Sequence, residues 1–234
     1  MSSGPEPILL FDIDGTLITS GGAGARALEQ AFVELAGIER ALVGVRLDGA
    51  TDLAIVREAL ALGGREPTPE LMDRLVVRYT ELLPGELKRA AGYRLLDGVE
   101  ALLVRLAAEL RVFGLCTGNV RDGARAKLSH GGVWEHFARG FEGGFGSDGE
   151  VRADIVRAAL RRAETHHGRS VNAAEALVIG DTPRDILAAH EVGVPVLAVT
   201  TGRYSAEELR AVGADAVVDS LASPAALEIM GLAP

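Results

Sequence analysis

The sequence predicts an α/β protein built on a doubly wound parallel β-sheet. From about Leu95 onward, short apolar runs of strand length alternate with segments of helical periodicity, which is the order expected of βαβ units. The apolar runs, such as residues 8–11 and 176–179, are continuous, as in parallel strands that are buried on both faces. We therefore expect a sheet that lies between two layers of helices.

The elements follow one another in a regular order after the first strand. Asp97 and Gly98 precede a periodic helix, and Gly131 with Gly132 ends the helix that follows the next strand. The predicted helices in this part of the chain span residues 99–110, 121–129, 152–164, 184–191 and 205–212. Four strands are predicted in the same part of the chain: one that ends at Thr117, one that ends at Ile179, and two that span residues 195–199 and 216–218.

The segment between the first strand and Leu95 has a different pattern. Residues 25–36, 52–62 and 68–83 show helical periodicity, without obvious buried strands among them. Thr68 and Pro69 are a good helix start, an N-cap followed by proline at the first helical position. This segment is therefore predicted to be helical throughout.

The composition limits the classes of partner. The 234 residues carry a formal net charge of −9, which disfavours nucleic acid and anionic membranes because both call for clustered Lys and Arg. No apolar run reaches transmembrane length, and residues 1–7 lack the basic start of a signal peptide, so we expect a cytoplasmic protein. The single cysteine, Cys116, excludes an internal disulfide and is expected to pack within a strand. The sequence does not indicate the oligomeric state.

Oxygen-rich clusters follow three of the predicted strands. Asp12 and Asp14 come after the first strand, residues 117–119 (Thr-Gly-Asn) after another, and Asp181 with Asp185 after a third. Ligands bind at the carboxyl ends of strands in open α/β sheets, so these clusters predict one shared site. The alternative is that the aspartates and the threonine only cap the helices that follow.

Taken in this order, the clusters resemble motifs of the haloacid dehalogenase superfamily of phosphatases and related hydrolases. The first motif of that family is Asp-x-Asp-x-Thr and the fourth is Gly-Asp-x-x-x-Asp, which match Asp12, Asp14, Thr16, Asp181 and Asp185. The resemblance covers most of the chain outside the helical segment. It implies a Rossmann-like catalytic core of residues 1–18 and 96–234 and an inserted all-helical cap of residues 19–95. An ordinary helical layer packed on the sheet is the alternative for the cap.

The resemblance also implies a magnesium site. A phosphate about 4 Å from a carboxylate is opposed by roughly 4 kcal/mol per charge pair at an effective dielectric near 20, so a cation is needed. Mg²⁺ prefers octahedral oxygen coordination by carboxylates, waters and substrate phosphate. The family pattern assigns it to the carboxylates of Asp12 and Asp181 and to the backbone carbonyl of Asp14.

By the same resemblance, each polar residue has an expected role. Asp12 would attack phosphorus to form an aspartyl-phosphate, and Asp14 would act as general acid and then base, with a pKa raised by the cap. Thr16 would orient the loop. Thr117 would donate its hydroxyl to a phosphoryl oxygen, unless it is a plain N-cap, and the backbone amides of Gly118 and Asn119 would face the anion.

The third family motif is a lysine or arginine that pairs with the phosphoryl group and the nucleophile. Arg152 occupies the matching place after a Gly-rich turn, and Asp185 is expected to hold Arg152 or the loop. Lys127 is the competing cation, although it lies about two turns into the preceding helix. Whichever of the two cations is not used is expected to be a solvated surface residue.

The substrate implied by the resemblance is a small phosphate monoester, as in the phosphoglycolate phosphatase branch. Arg46, Arg57 and Arg65 are available for an acidic substrate tail, and the sequence does not choose among them. Thr51 or Asp52 is a helix N-cap that could also contact the substrate.

Other functions remain open at this stage. A sugar phosphomutase and a dehalogenase belong to the same superfamily, and a non-catalytic module that binds phosphorylated ligands is the alternative of a different class. Residues 22–27 also fit a loose Gly-x-Gly-x-x-Ala dinucleotide fingerprint. That fingerprint requires the glycines directly after the strand, and here residues 12–20 intervene, so we expect a hinge and a helix start.

Overall fold

The computed structural model of this chain describes residues 6–233. In this range the strands are β1 (Ile8–Phe11), β2 (Ile18–Ser20), β3 (Tyr93–Leu95), β4 (Phe113–Thr117), β5 (Gly143–Phe145), β6 (Ala176–Gly180), β7 (Val196–Val199) and β8 (Ala216–Val218). The helices are α1 (Ala23–Ala36), α2 (Asp52–Leu62), α3 (Pro69–Arg89), α4 (Val99–Ala108), α5 (Arg121–His130), α6 (Trp134–Ala138), α7 (Arg152–His167), α8 (Pro183–Val192), α9 (Ala206–Val212) and α10 (Pro224–Ile229).

The predicted doubly wound sheet is confirmed. Within residues 6–233 six parallel strands form it in the order β5-β4-β1-β6-β7-β8. The side chains of β1 alternate between two apolar cores, with Leu9 and Phe11 in one and Ile8 and Leu10 in the other. Burial on both faces is what the continuous apolar run predicts.

The predicted helical segment is also present. Helices α1, α2 and α3 share an apolar core that includes Phe32, Leu60 and Leu75, and the chain enters and leaves it through the antiparallel pair β2 and β3. We call residues 23–89 the helical insert. The boundaries of a cap at residues 19 and 95 remain a prediction.

Helix α3 is longer than expected, so the predicted end at residue 83 is wrong. It continues through Pro84 to Arg89. Proline normally ends or kinks a helix. Here apolar packing and an ion pair stabilise the two turns around the proline. Leu83 and Leu87 are buried, and Glu86 accepts a hydrogen bond of 2.8 Å from Arg26 on α1.

The expectation that residues 1–7 are not the start of a signal peptide concerns mainly residues 1–5, which lie outside the described residues. Between residues 6 and 233 no helix is long and apolar enough to cross a membrane.

Candidate active site

The candidate site lies where three neighbouring strands end. Asp12 follows β1, Thr117 is the last residue of β4, and Asp181 follows β6. The chain order reverses at β1, since β4 lies on one side of it and β6 on the other. Such a switch point is where open α/β sheets form a crevice.

The loop after β1 turns sharply to reach β2. Gly15 has a φ of 85°, a conformation that favours glycine, and its N–H donates to the carbonyl of Ile18 at 2.8 Å. A Cβ at Gly15 or at Gly202 would lie under 3.0 Å from the Asp181 carboxylate. The Thr16 hydroxyl donates to Asp181 Oδ1 at 3.3 Å. Two glycines and one hydroxyl therefore fix the position of the Asp181 carboxylate.

Three buried carboxylates converge below this loop. Oxygen atoms of Asp12, Asp181 and Asp185 all lie within 4.8 Å of one another. Burial raises the pKa of Asp181 to about 9, with a further contribution from the charges of Asp185 and Asp12. Burial likewise raises the pKa of Asp12 to about 6, although Arg152 opposes the rise. The cluster carries more negative charge than its neighbours balance, and it offers the hard oxygen ligands that suit a divalent cation.

Asp185 differs from the other two carboxylates because both of its oxygens have partners. Oδ1 accepts from the Arg152 guanidinium, and Oδ2 accepts from the backbone N–H and the hydroxyl of Thr182, at 3.0 and 2.7 Å. Asp185 thereby completes a capping box at the start of α8. It holds Arg152 and the loop together, as the sequence analysis expects.

Arg152 is the first residue of α7, and its side chain is 8% exposed. One guanidinium nitrogen lies 3.1 Å from Asp12 Oδ1 and also pairs with Asp185. Another donates to the carbonyl of Gly49 at 3.1 Å, which joins the core to the loop before α2. Arg152 is thus in contact with the expected nucleophile.

Lys127 also reaches the site, so the expectation that one of the two competing cations is a solvated surface residue is wrong. Its side chain is 6% exposed, and its ammonium lies 2.5 Å from Asp14 Oδ2 and 2.6 Å from Asn119 Oδ1. Helix α5, which carries the lysine, packs against α3 of the helical insert. The two competing cations therefore both contact site carboxylates, Arg152 beside Asp12 and Lys127 beside Asp14.

This arrangement overturns the expectation that the pKa of Asp14 is raised. Burial alone raises that pKa, but the Lys127 ammonium and a hydrogen bond of 2.9 Å from the Asn119 amide more than offset it and hold it below its ordinary value. The Asp14 side chain is 40% exposed and lines the cavity described below. Its carboxylate is outside the three-carboxylate cluster.

Thr117 is buried at the end of β4, and the next two residues, Gly118 and Asn119, line the cavity described below. Thr117 is not an N-cap, because α5 begins four residues later, after Val120. The Thr117 hydroxyl accepts from the backbone N–H and the side-chain amide of Asn119, at 3.3 and 2.9 Å. A Cβ at Gly118 would overlap the carbonyl of Ala50, so glycine lets the helical insert approach here.

The loop before α2 closes over the strand ends. Thr51 is the N-cap of α2, accepting from the N–H of Ala54, and its hydroxyl also donates to the carbonyl of Glu150 at 3.0 Å. Asp52 accepts from the N–H of Val120 at 2.8 Å. Arg203 pairs with Asp48. Sequence reasoning missed these contacts between the insert and the core, since they join residues far apart in the chain.

Together these parts enclose a cavity of about 360 Å³. Its wall contains the expected residues Asp12, Asp14, Gly118, Asn119, Lys127, Arg152 and Asp181. It also contains Tyr79 of α3, Gly202 and Arg203, which the sequence analysis does not single out. Arg46, Arg57 and Arg65 are absent from the cavity wall among the described residues, and Arg57 instead pairs with Glu150. The three arginines expected to meet an acidic substrate tail are therefore elsewhere.

Comparison with known proteins points in one direction. A model of the haloacid dehalogenase-like hydrolase family matches residues 7–193. The phosphoglycolate phosphatase of Rhodospirillum rubrum is 33% identical over 224 residues, which are 92% of this chain and 88% of the relative. A hydrolase structure from Pseudomonas syringae is similar in fold, with a TM-score of 0.72, 23% identity, and coverage of 98% of this chain and 100% of the other. A structure of CbbY from Rhodobacter sphaeroides in complex with xylulose-1,5-bisphosphate has a TM-score of 0.72 at 20% identity, with 93% of this chain and 96% of that chain covered.

Proposed function

The chain belongs to the haloacid dehalogenase-like hydrolases and is a phosphatase. We propose that it is a Mg²⁺-dependent enzyme that hydrolyses a small phosphate monoester through an aspartyl-phosphate. The observation that carries the proposal is the meeting of the Asp12 carboxylate, two further carboxylates and the Arg152 guanidinium at one strand end. The helical insert would act as the cap of this enzyme, with residues 1–18 and 96–234 as its core.

The metal fits the donor set of this chain. Asp12 and Asp181 would hold it with carboxylate oxygens and Asp14 with its backbone carbonyl, whereas Asp185 is already engaged by Arg152 and Thr182. When bound, Mg²⁺ would supply positive charge that offsets the repulsion between the carboxylates and the phosphate.

In the first step, Asp12 attacks phosphorus and the bond to the leaving oxygen breaks. Arg152 lies 3.1 Å from the attacking carboxylate, so it can orient that group and pair with the equatorial phosphoryl oxygens. The Thr117 hydroxyl acts only as an acceptor toward Asn119, which leaves its proton to be donated to the phosphoryl group. The departing alkoxide takes a proton from Asp14.

In the second step, water attacks the phosphorus of the aspartyl-phosphate while Asp14 removes a proton from that water. The bond between phosphorus and the Asp12 oxygen breaks, which frees the Asp12 carboxylate and releases inorganic phosphate. The lowered pKa of Asp14 suits this step, since the carboxylate is ionised before water attacks. For the first step Asp14 must carry a proton. The negative charge of an incoming phosphate favours that proton, because a nearby like charge raises the pKa of a carboxylate.

The proposal is tested with p-nitrophenyl phosphate, whose leaving group needs little help from an acid. We expect hydrolysis that requires Mg²⁺, loss of turnover in Asp12→Asn, and normal turnover in Asp122→Asn, which removes an exposed carboxylate as a matched control. In Asp14→Asn the first step can proceed while hydrolysis stalls. Intact-mass measurement should therefore detect a phosphoryl adduct in Asp14→Asn and none in Asp12→Asn. Full activity in EDTA, or an active Asp12→Asn, would overturn the proposal.

A further inference from the structure

The part of the cavity that would hold the leaving group is formed mainly by the helical insert. Its wall includes the apolar side chains Leu28, Leu42 and Ile55 and the polar side chains Asp52 and Tyr79. We call these five residues the leaving-group pocket. We expect them to influence which alcohol the enzyme can release, because the phosphate end of the cavity is committed to Asp12, Arg152 and their neighbours.

The cations in the cavity wall already have partners. Among the described residues lining it, Arg152 pairs with Asp12 and Asp185, Lys127 pairs with Asp14, and Arg203 pairs with Asp48. Arg26 of α1 pairs with Glu86 and does not line the cavity. A carboxylate on the leaving group would therefore find no uncommitted positive charge in the described wall.

Asp52 adds a negative charge to the same pocket. One of its oxygens accepts from the N–H of Val120 at 2.8 Å, and no arginine, lysine or histidine of the described residues lies within 4.0 Å of its carboxylate. Burial raises its pKa to about 6, although the charge of Lys127, which is itself paired with Asp14, opposes the rise. At pH 7.5 the Asp52 carboxylate is therefore largely ionised and can accept a hydrogen bond. An anionic leaving group would be repelled here, whereas a hydroxyl could donate.

Tyr79 supplies the complementary donor. The residue is 2% exposed, and no hydrogen bond among the described residues involves its hydroxyl. That hydroxyl lies beside Gly24, whose added Cβ would be 3.7 Å from it, at the cavity wall. The side chain lines the cavity, and a phenol hydroxyl can donate one hydrogen bond, so this hydroxyl is placed to donate to a ligand.

Resting on the proposed phosphatase activity, we propose that the leaving-group pocket selects small phosphate monoesters of neutral, hydroxyl-bearing alcohols and disfavours those with a carboxylate. The apolar side chains contact the carbon chain, Tyr79 donates to the second hydroxyl, and Asp52 accepts from it. Phosphoglycolate is consequently a poorer substrate than its neutral counterpart, 2-hydroxyethyl phosphate, which has the same number of carbons.

Three two-carbon substrates separate the contributions: 2-hydroxyethyl phosphate, ethyl phosphate and phosphoglycolate, each measured as kcat/KM with Mg²⁺. For the wild type we expect kcat/KM for 2-hydroxyethyl phosphate to exceed that for phosphoglycolate by at least about tenfold, because like charges placed together repel each other. Tyr79→Phe should lower kcat/KM for 2-hydroxyethyl phosphate roughly five- to tenfold and leave ethyl phosphate unchanged, as for one lost hydrogen bond. If Tyr79 had only a structural role, Tyr79→Phe would instead lower kcat/KM for all three substrates to the same extent.

Asp52→Asn keeps an oxygen that can accept from Val120 and removes the charge. We expect this variant to raise the ratio of kcat/KM for phosphoglycolate to kcat/KM for 2-hydroxyethyl phosphate by about threefold or more. Tyr204→Phe, which removes a hydroxyl outside the cavity wall, should change no ratio. Phosphoglycolate equal to or better than 2-hydroxyethyl phosphate in the wild type would overturn the inference while leaving the phosphatase intact. No hydrolysis of any monoester, p-nitrophenyl phosphate included, would instead overturn the proposed function.

Discussion

Arg152 offers the sharpest test of how the site is held together. Its guanidinium pairs with Asp12 and Asp185 at once and donates to the carbonyl of Gly49, all in a buried position. Arg152→Ala removes all three contacts and leaves two buried carboxylates without their cation. Arg152→Lys keeps a positive charge but loses the fork, since an ammonium is a point charge on a shorter reach.

The structure sets the size of the effect. At 3.1 Å and an effective dielectric near 20, the pair between Arg152 and Asp12 corresponds to a Coulomb attraction of roughly 5 kcal/mol. Removing one partner of a buried pair costs about 3–5 kcal/mol of unfolding free energy, whereas a typical domain has only about 5–15 in total. We therefore expect Arg152→Ala to be destabilised by about 3–5 kcal/mol and Arg152→Lys by about 1–2.

The assay combines urea unfolding with turnover in saturating Mg²⁺. Turnover should fall by roughly 10²-fold or more in Arg152→Ala, as when one donor to a developing charge is removed, and by less in Arg152→Lys. In a double-mutant cycle, Asp185→Asn should cost less stability in the Arg152→Ala background than in the wild type, because the charge it removes is already unpaired. Near-normal stability and turnover of Arg152→Ala, together with an inactive Arg152→Lys, would refute this reasoning.

Three further outcomes follow from named contacts. Gly202→Ala places a Cβ against the Asp181 carboxylate, so we expect weaker Mg²⁺ binding and lower activity, which a higher Mg²⁺ concentration partly restores. A folded variant with unchanged Mg²⁺ dependence would contradict the assignment of Asp181. Lys127→Met should lower turnover at least about tenfold because the lysine contacts Asp14, whereas the exposed Lys88→Met serves as the matched control; equal activity of the two would remove Lys127 from the site. Burial raises the pKa of Asp148, but Arg162 and the N–H of Phe145 more than offset it and hold the pKa below its ordinary value. The stabilisation from this carboxylate is therefore present above pH 4 and is lost as the pH falls through the lower folded value. Thermal unfolding of wild type and Asp148→Asn should therefore differ at pH 7 and converge on acidification; a constant difference would argue against the ion pair.

Local signals in the sequence are sufficient for much of the sheet. The helix at Asp52–Leu62 and the strand at Ala216–Val218 have the predicted bounds, because caps and apolar runs mark them directly. The strand Gly143–Phe145 is missed, since two glycines are poor strand formers. Its glycines reflect close packing instead: a Cβ at Gly143 would overlap the backbone of Leu115, and one at Gly144 would overlap Ile155. Periodicity carries no information about such contacts.

The residues of the site also fall into those that local signals predict and those that depend on tertiary packing. Positions directly after strands are predictable, since the strand end itself fixes them, and Asp12 and Asp181 are of this kind. Lys127 is different because its distance along α5 suggests that it lies too far from the strand end. Its side chain is buried and extends to Asp14 and Asn119, and α5 packs against α3. Only the tertiary arrangement distinguishes this lysine from the exposed Lys88.

Thr51 and Asp52 show why a local rule cannot decide between a structural and a functional role. The capping rule assigns Thr51 correctly, since its hydroxyl oxygen accepts from the N–H of Ala54. The same hydroxyl donates its proton to Glu150 across the molecule, and the neighbouring Asp52 binds the N–H of Val120 while lining the cavity. A hydroxyl has one proton and two lone pairs, so capping uses the acceptor and leaves the donor for the core. The same two residues can therefore both cap α2 and connect the helical insert to the core beside the site. Evidence that Thr51 is an N-cap is not evidence against a functional role of this residue pair.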